Sequence, residues 1–89
     1  MKPIRWTGHA RKESARREVA VAEVEKTIEQ PDSIVSGQSP RWIFMRRYFD
    51  EVLQTEMLLR VVVEETSGEM VIVTLYKTSK FKKYEGGSQ

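Results

Sequence analysis

The feature that most constrains this chain is a change of hydrophobic period at Pro31. Before it, Val21, Val24 and Ile28 recur at i, i+3 and i+7, with Glu23, Glu25, Lys26 and Glu29 on the other side. That spacing predicts an amphipathic helix over Val21–Glu29. The helix stops there because a proline disfavours helical geometry at the residue before it, here Gln30. After Pro31 the apolar residues alternate, as they do in strands with one buried face. The alternation predicts strands over 33–36, 41–49, 57–65 and 70–76. Ser36-Gly37-Gln38-Ser39-Pro40 carries turn chemistry, Thr66-Ser67-Gly68-Glu69 has a common hairpin length, and Asp50–Glu56 reads as a polar loop.

Upstream, Ile4-Arg5-Trp6 is β-prone and reads as an edge or lead-in strand. Thr7 is placed to cap a helix over about residues 8–17, with Ala10 at the N3 position where a full capping box needs Glu or Gln. That helix is weakly apolar and can bury only small side chains. A break is expected around Glu18–Ala20. Two helices followed by a meander give an α+β fold, with both N-terminal helices packed on one face of a four-stranded antiparallel sheet. Leu59, Val61, Val63, Val71, Val73 and Leu75 form the expected helix-facing set. The opposite face then carries Arg60, Thr74 and Tyr76, together with either Arg46 or Arg47. A single domain over residues 1–84 with a disordered tail at 85–89 accounts for the whole chain.

Composition excludes several chemistries. There is no cysteine and only one histidine among the 89 residues, so thiolate chemistry, disulfides and multi-histidine metal sites are excluded. Neither a metal nor a cofactor is expected. The longest apolar run, Met57–Val63, is too short for a membrane span and contains Arg60. Met1–Trp6 leads into no apolar secretory segment, so a cytoplasmic location is expected. The net charge is only +2, but it is unevenly distributed. Residues 1–17, 33–49 and 70–89 are basic, whereas 18–32 and 50–69 are acidic. If folding gathers the basic segments on one side, the chain has an anion-binding face despite its small total.

Three segments carry a family resemblance. Thr7-Gly8-His9-Ala10-Arg11-Lys12 opens the first helix, Val24…Ile28-Glu29-Gln30-Pro31-Asp32 leaves the second, and Val73-Thr74-Leu75-Tyr76-Lys77-Thr78-Ser79-Lys80 closes the sheet. In this order and spacing they resemble the prokaryotic domain-of-unknown-function family 4258 over roughly residues 5–84. The resemblance implies a place near the RelE-like and barnase–EndoU-like small toxins. It therefore implies a RelE-like form of the fold, metal-independent RNA cleavage and a small antitoxin protein as partner. The chain departs from its relatives at Arg17-Glu18-Val19, where Arg-Gly-Ile is frequent, and at Glu13, where a basic residue is frequent.

Metal-independent cleavage needs a base for the ribose 2′-hydroxyl, an acid for the leaving oxygen and cations for the phosphorane. His9 is the one side chain whose ordinary pKa suits the proton transfers. Arg46 and Arg60 supply charge from the strands, and Tyr76, Ser79 and Lys80 supply hydroxyls and an amine. These six form the candidate catalytic set. Arg11, Arg17, Arg47, Thr74, Lys77 and Thr78 form the candidate RNA-binding set. Each has a plainer counterpart. His9 caps or packs a short helix, a strand arginine pairs with a carboxylate such as Glu56, Tyr76 packs with a wet hydroxyl, and Lys82-Lys83 is a solvated basic tail. Trp42, Phe44, Tyr48 and Phe49 read as core or dimer contacts. Three functions stay open: a toxin-type ribonuclease, an RNA-binding module, and a non-catalytic protein-interaction module acting as a homodimer or with a small partner.

Overall fold

The computed structural model describes residues 2–85. In chain order these form β1 (Ile4–Trp6), α1 (Gly8–Arg16), α2 (Val21–Glu29), β2 (Ser33–Ser36), β3 (Arg41–Asp50), β4 (Thr55–Glu65), β5 (Met70–Thr78) and α3 (Phe81–Glu85). The expected Gly-rich tail at 86–89 lies outside the described residues, while Glu85, assigned to that tail, closes α3.

The sheet has five strands in the order β1-β5-β4-β3-β2. Strands β2 to β5 form the expected antiparallel meander. β1, however, pairs parallel with β5, Ile4 opposite Met70 and Trp6 opposite Ile72. The sheet is therefore mixed, and the four-stranded antiparallel RelE-like arrangement is incorrect for this chain. A three-residue strand carries no sequence signal for its partner. Its position is set by long-range bonds: the Met70 amide donates to the Pro3 carbonyl at 2.9 Å, and the Thr7 hydroxyl donates to the Ile72 carbonyl at 2.8 Å.

Thr7 also caps α1, its hydroxyl accepting from the Ala10 amide at 3.0 Å. α1 buries only Ala10 and Ser14. The Ser14 hydroxyl donates to the Val19 carbonyl at 2.6 Å, which ties the helix end to the reversal beyond it. Glu18 makes that reversal with a φ of 56°. α2 then lays Val24, Thr27 and Ile28 on the sheet, and the Thr27 hydroxyl returns to the Glu23 carbonyl. Burying Val24 and Ile28 contributes about 1.5–3 kcal/mol each.

Strand register decides which side chains face the helices. Phe44, Val61 and Leu75 lie across from one another on the helix side, where they join the core with Leu59, Val63 and Ile72. Met45, Arg60 and Tyr76 lie across from one another on the opposite side, as do Arg47, Leu58 and Thr78. Arg47 is thus the arginine on the far face, and Arg46 turns toward the helices. Within β5 the expected alternation fails. Val62 pairs with Thr74 and Val63 with Ile72, so Val73 is an extra residue with no partner on β4. This bulge sends Met70 and Ile72 into the core in place of Val71 and Val73.

A further correction lies at the C-terminus. Lys82 and Lys83 are exposed, as expected of a basic tail, but they belong to α3. This short helix packs on the sheet face that α1 and α2 leave uncovered. Among the described residues, no helix is long and apolar enough to cross a membrane.

Candidate functional site

At the centre of the far face stands Arg60, which is only 9% exposed. Its neighbours are dictated by register: Met45 on one side and Tyr76 on the other. The guanidinium donates from Nε to the Met45 sulfur at 3.3 Å and from Nη1 to the Tyr76 hydroxyl. It lies 3.9 Å from the ring centre of Tyr84 and 5.5 Å from that of Tyr76. The two rings meet edge to face at 6.3 Å. Burial pushes the Tyr76 phenol above its usual range.

Arg47 occupies the same face one step along β3. Its Nε and Nη2 grip the Glu85 carboxylate at 2.8 and 2.6 Å, and its Nη1 reaches Glu56 at 3.0 Å. The Phe81 ring lies over this guanidinium at 4.0 Å. The hydrogen bonds that Arg47 donates to Glu85 raise the Arg47 pKa and lower that of Glu85. The pairing of Arg47 with Glu56 is the cross-strand contact that a strand arginine is expected to make. Arg5, Arg41 and Arg46 likewise each hold a carboxylate. Among the described residues, Arg60 is the one strand arginine without a carboxylate partner.

The other candidates divide between the two sides of the sheet. Thr74 and Thr78 share the face of Arg60 and Tyr76. Ser79 and Lys80 follow at the exposed end of β5, where the Lys80 amide donates to the Thr78 hydroxyl at 3.0 Å. Arg46 lies with the helices and donates to the carboxylate and carbonyl of Glu23, while its Nε is buried without a partner. Lys77 also points to the helix side, where it donates to buried Asp50 at 2.7 Å. Asp50, expected in a polar loop, ends β3 instead. It accepts from the Tyr48 hydroxyl at 2.7 Å and from the Val52 and Leu53 amides at 3.0 and 2.9 Å. Burial raises the Asp50 pKa, but donation from Lys77, Leu53 and Tyr48 outweighs it and holds the carboxyl at about 2.

His9 is exposed on α1, whose Ala10 packs in the core on the helix side. Among the described residues, no hydrogen bond or ring contact joins it to Arg46, Arg60, Tyr76, Ser79 or Lys80. Arg11 lies over the Trp6 ring at 5.4 Å, and Arg17 holds Glu13 at 2.7 Å. Hydrogen bonds from Arg16 and Arg17 bring Glu13 down to about 2. The fold therefore unites Arg47, Arg60, Thr74, Tyr76 and Thr78, and sets Arg46, Lys77, Arg11, Arg17 and His9 apart from them. A groove between the β2–β3 and β4–β5 turns, lined by Lys2, Arg41, Trp42 and Glu65, contains none of the six catalytic candidates. Among the described residues, no three His, Asp or Glu side chains gather at metal-binding distance.

Phe81, Tyr84 and Glu85 complete the far face, and sequence reasoning missed them. Their spacing at i, i+3 and i+4 is the pattern of one helix face, but the segment is too short to stand out beside the lysines. Met45 was missed as well, because a thioether facing an arginine on the next strand is visible only once the register of β3 and β4 is known.

The chemistry available on this face is anion pairing and ring stacking. Two guanidiniums lie beside tyrosines and threonine hydroxyls, over an apolar floor that includes Leu58 and Val62. No curated protein and no solved structure matches the chain at a significant level. A family model does match, covering residues 6–77 and thus the last residue of β1 through most of β5. The chain accordingly belongs to the family described as Domain of unknown function (DUF4258).

Proposed function

We propose that this protein binds single-stranded RNA on the sheet face that carries Arg47, Arg60 and Tyr76. The observation that carries the reading is the state of Arg60. A guanidinium taken out of water is costly unless an anion or a full set of acceptors meets it. Arg60 is nearly buried, has no carboxylate partner among the described residues, and rests against tyrosine rings and a thioether. Arginine tolerates such a site because its planar cation is weakly hydrated and stacks on aromatic faces. The same properties suit it to a phosphate flanked by bases. Arg47 supplies a second cation on that face, and Thr74 and Thr78 supply hydroxyls.

Binding is favoured over cleavage because the candidate general base, His9, sits on α1 in the helix layer, away from the face that unites the cations. A closer relationship to RelE-like and barnase–EndoU-like nucleases would add attack by the ribose 2′-hydroxyl, and the same experiment tests it. A short fluorescein-labelled oligouridylate is titrated with wild type and with Arg60→Met, at low salt and at roughly fourfold higher salt. Methionine keeps the apolar stem and removes the cation. The variant is expected to bind about fivefold to tenfold more weakly, with a salt slope lower by about one. Equal affinity and equal slope would remove Arg60 from the interface and overturn the reading. Cleaved product ending in a 2′,3′-cyclic phosphate would replace the binding reading with the ribonuclease one.

A further inference from the structure

The face assigned to RNA is not bare. α3 lies on it, and the contacts it makes there follow a pattern. The Glu85 carboxylate sits in the fork of Arg47, two parallel bonds of 2.8 and 2.6 Å. That geometry is shared by carboxylate and phosphate. The Tyr84 ring lies 3.9 Å from the Arg60 guanidinium and meets Tyr76 edge to face. A flat ring on a guanidinium beside a tyrosine is also how a base is held. Phe81 covers Arg47 in the same manner at 4.0 Å.

Among the described residues, these side-chain contacts tie α3 to the sheet. The helix has five residues, and none of them is buried. A helix that short has no stability of its own in water, so its position depends on these surface contacts. Ser79 and Lys80, which connect it to β5, are exposed. Lys82 and Lys83 project from it into solvent, so the helix adds positive charge at the rim of the face it covers.

Resting on the RNA-binding reading above, we infer that α3 is an intramolecular ligand of this site: Glu85 occupies the phosphate position on Arg47, Tyr84 occupies the base position on Arg60, and RNA enters by displacing the helix. The occluded state lowers the apparent affinity by the fraction of molecules in which the face is open. Displacement also brings Lys82 and Lys83 within reach of the incoming backbone. Bound RNA thus exchanges one negative group on Arg47 for another and keeps Arg60 stacked throughout.

The test uses the full chain with two substitutions on α3, Tyr84→Ala and Glu85→Gln, made together. Neither residue is buried, so the core is left intact. Glu29→Gln, which removes an exposed acid from α2, controls for the change in net charge. Affinity for the labelled oligouridylate is measured by anisotropy at low salt, and amide exchange across residues 81–85 is followed with and without saturating RNA. If α3 is docked in about nine molecules of ten, the double variant binds about tenfold tighter. Glu29→Gln then gains less than about twofold, and RNA abolishes amide protection in α3 of the wild type. Equal RNA binding by wild type and double variant overturns the inference and leaves the RNA-binding reading standing. Weaker binding by the double variant makes α3 part of the RNA surface and also overturns it. A gain matched by Glu29→Gln reduces the effect to net charge and overturns the inference too. No binding by any of the three proteins at low salt overturns both the inference and the function on which it rests.

Discussion

Replacing Asp50 by Asn should destabilise the protein by about 2–3 kcal/mol near neutral pH, and the loss should vanish in acid. The side chain is 2% exposed and accepts four bonds, from Tyr48, Lys77 and the Val52 and Leu53 amides. Asparagine is nearly the same size, and its oxygen can still accept from the two amides. Its nitrogen cannot accept, so the bonds from the Lys77 ammonium and the Tyr48 hydroxyl are lost. A hydrogen bond to a charged group contributes about 1.5–3 kcal/mol, and the asparagine nitrogen offsets part of the second loss by donating to the Tyr48 oxygen. Linkage gives a second measure. The carboxyl falls from an ordinary 3.8 to about 2, which corresponds to about 2.4 kcal/mol before the solvent around the exposed turn is allowed for. Because the folded-state pKa is the lower one, this stability is fully present above 3.8 and disappears as the pH falls through about 2. The assay is thermal and urea unfolding of both proteins at several pH values. The expected difference in Tm near neutrality is roughly 10–20 °C for a chain of this length. It should narrow steadily between about pH 4 and pH 2. A neutral-pH difference under about 1 kcal/mol, or one that does not change with pH, would refute the role given to the Lys77 and Tyr48 bonds. The same result would release Lys77 from its structural role.

Two further outcomes follow from the local geometry. Thr7→Ala removes both the α1 cap and the bond to the Ile72 carbonyl, and should cost about 1–2 kcal/mol in urea unfolding; a loss near zero would show that the β1–α1 junction is held by other contacts. His9→Ala should leave oligouridylate affinity within about twofold of wild type, since His9 is a single exposed side chain on α1, in the helix layer and away from the face that carries the cations. A tenfold loss in the anisotropy titration would bring α1 into the interface.

What the sequence alone determined was the local order of elements and their periods. The α2 helix over Val21–Glu29, the Thr7 cap and the meander after Pro31 all follow from short-range rules: side-chain spacing, capping chemistry and turn residues. The location of an arginine and a tyrosine on the face away from α1 and α2 was legible for the same reason, because Arg60 and Tyr76 fall on the polar phase of their strands. What the tertiary structure decided was everything that depends on which distant segments meet. The partner of β1 is 66 residues away in sequence at Ile4 and Met70, and three residues of β-prone sequence do not encode it. The bulge at Val73 reversed the facing of half of β5, because one unpaired residue shifts a period of two and all four candidates there are apolar. The choice between Arg46 and Arg47 rested on one step of register, which sent the first to Glu23 and the second to Glu56 and Glu85. α3 owes its place to ring and ion contacts across the chain, since a five-residue helix has too little local stability to announce itself. The candidate site is built from those long-range contacts, which is why its cations could be named from the sequence while its composition as a face could be read only from the fold.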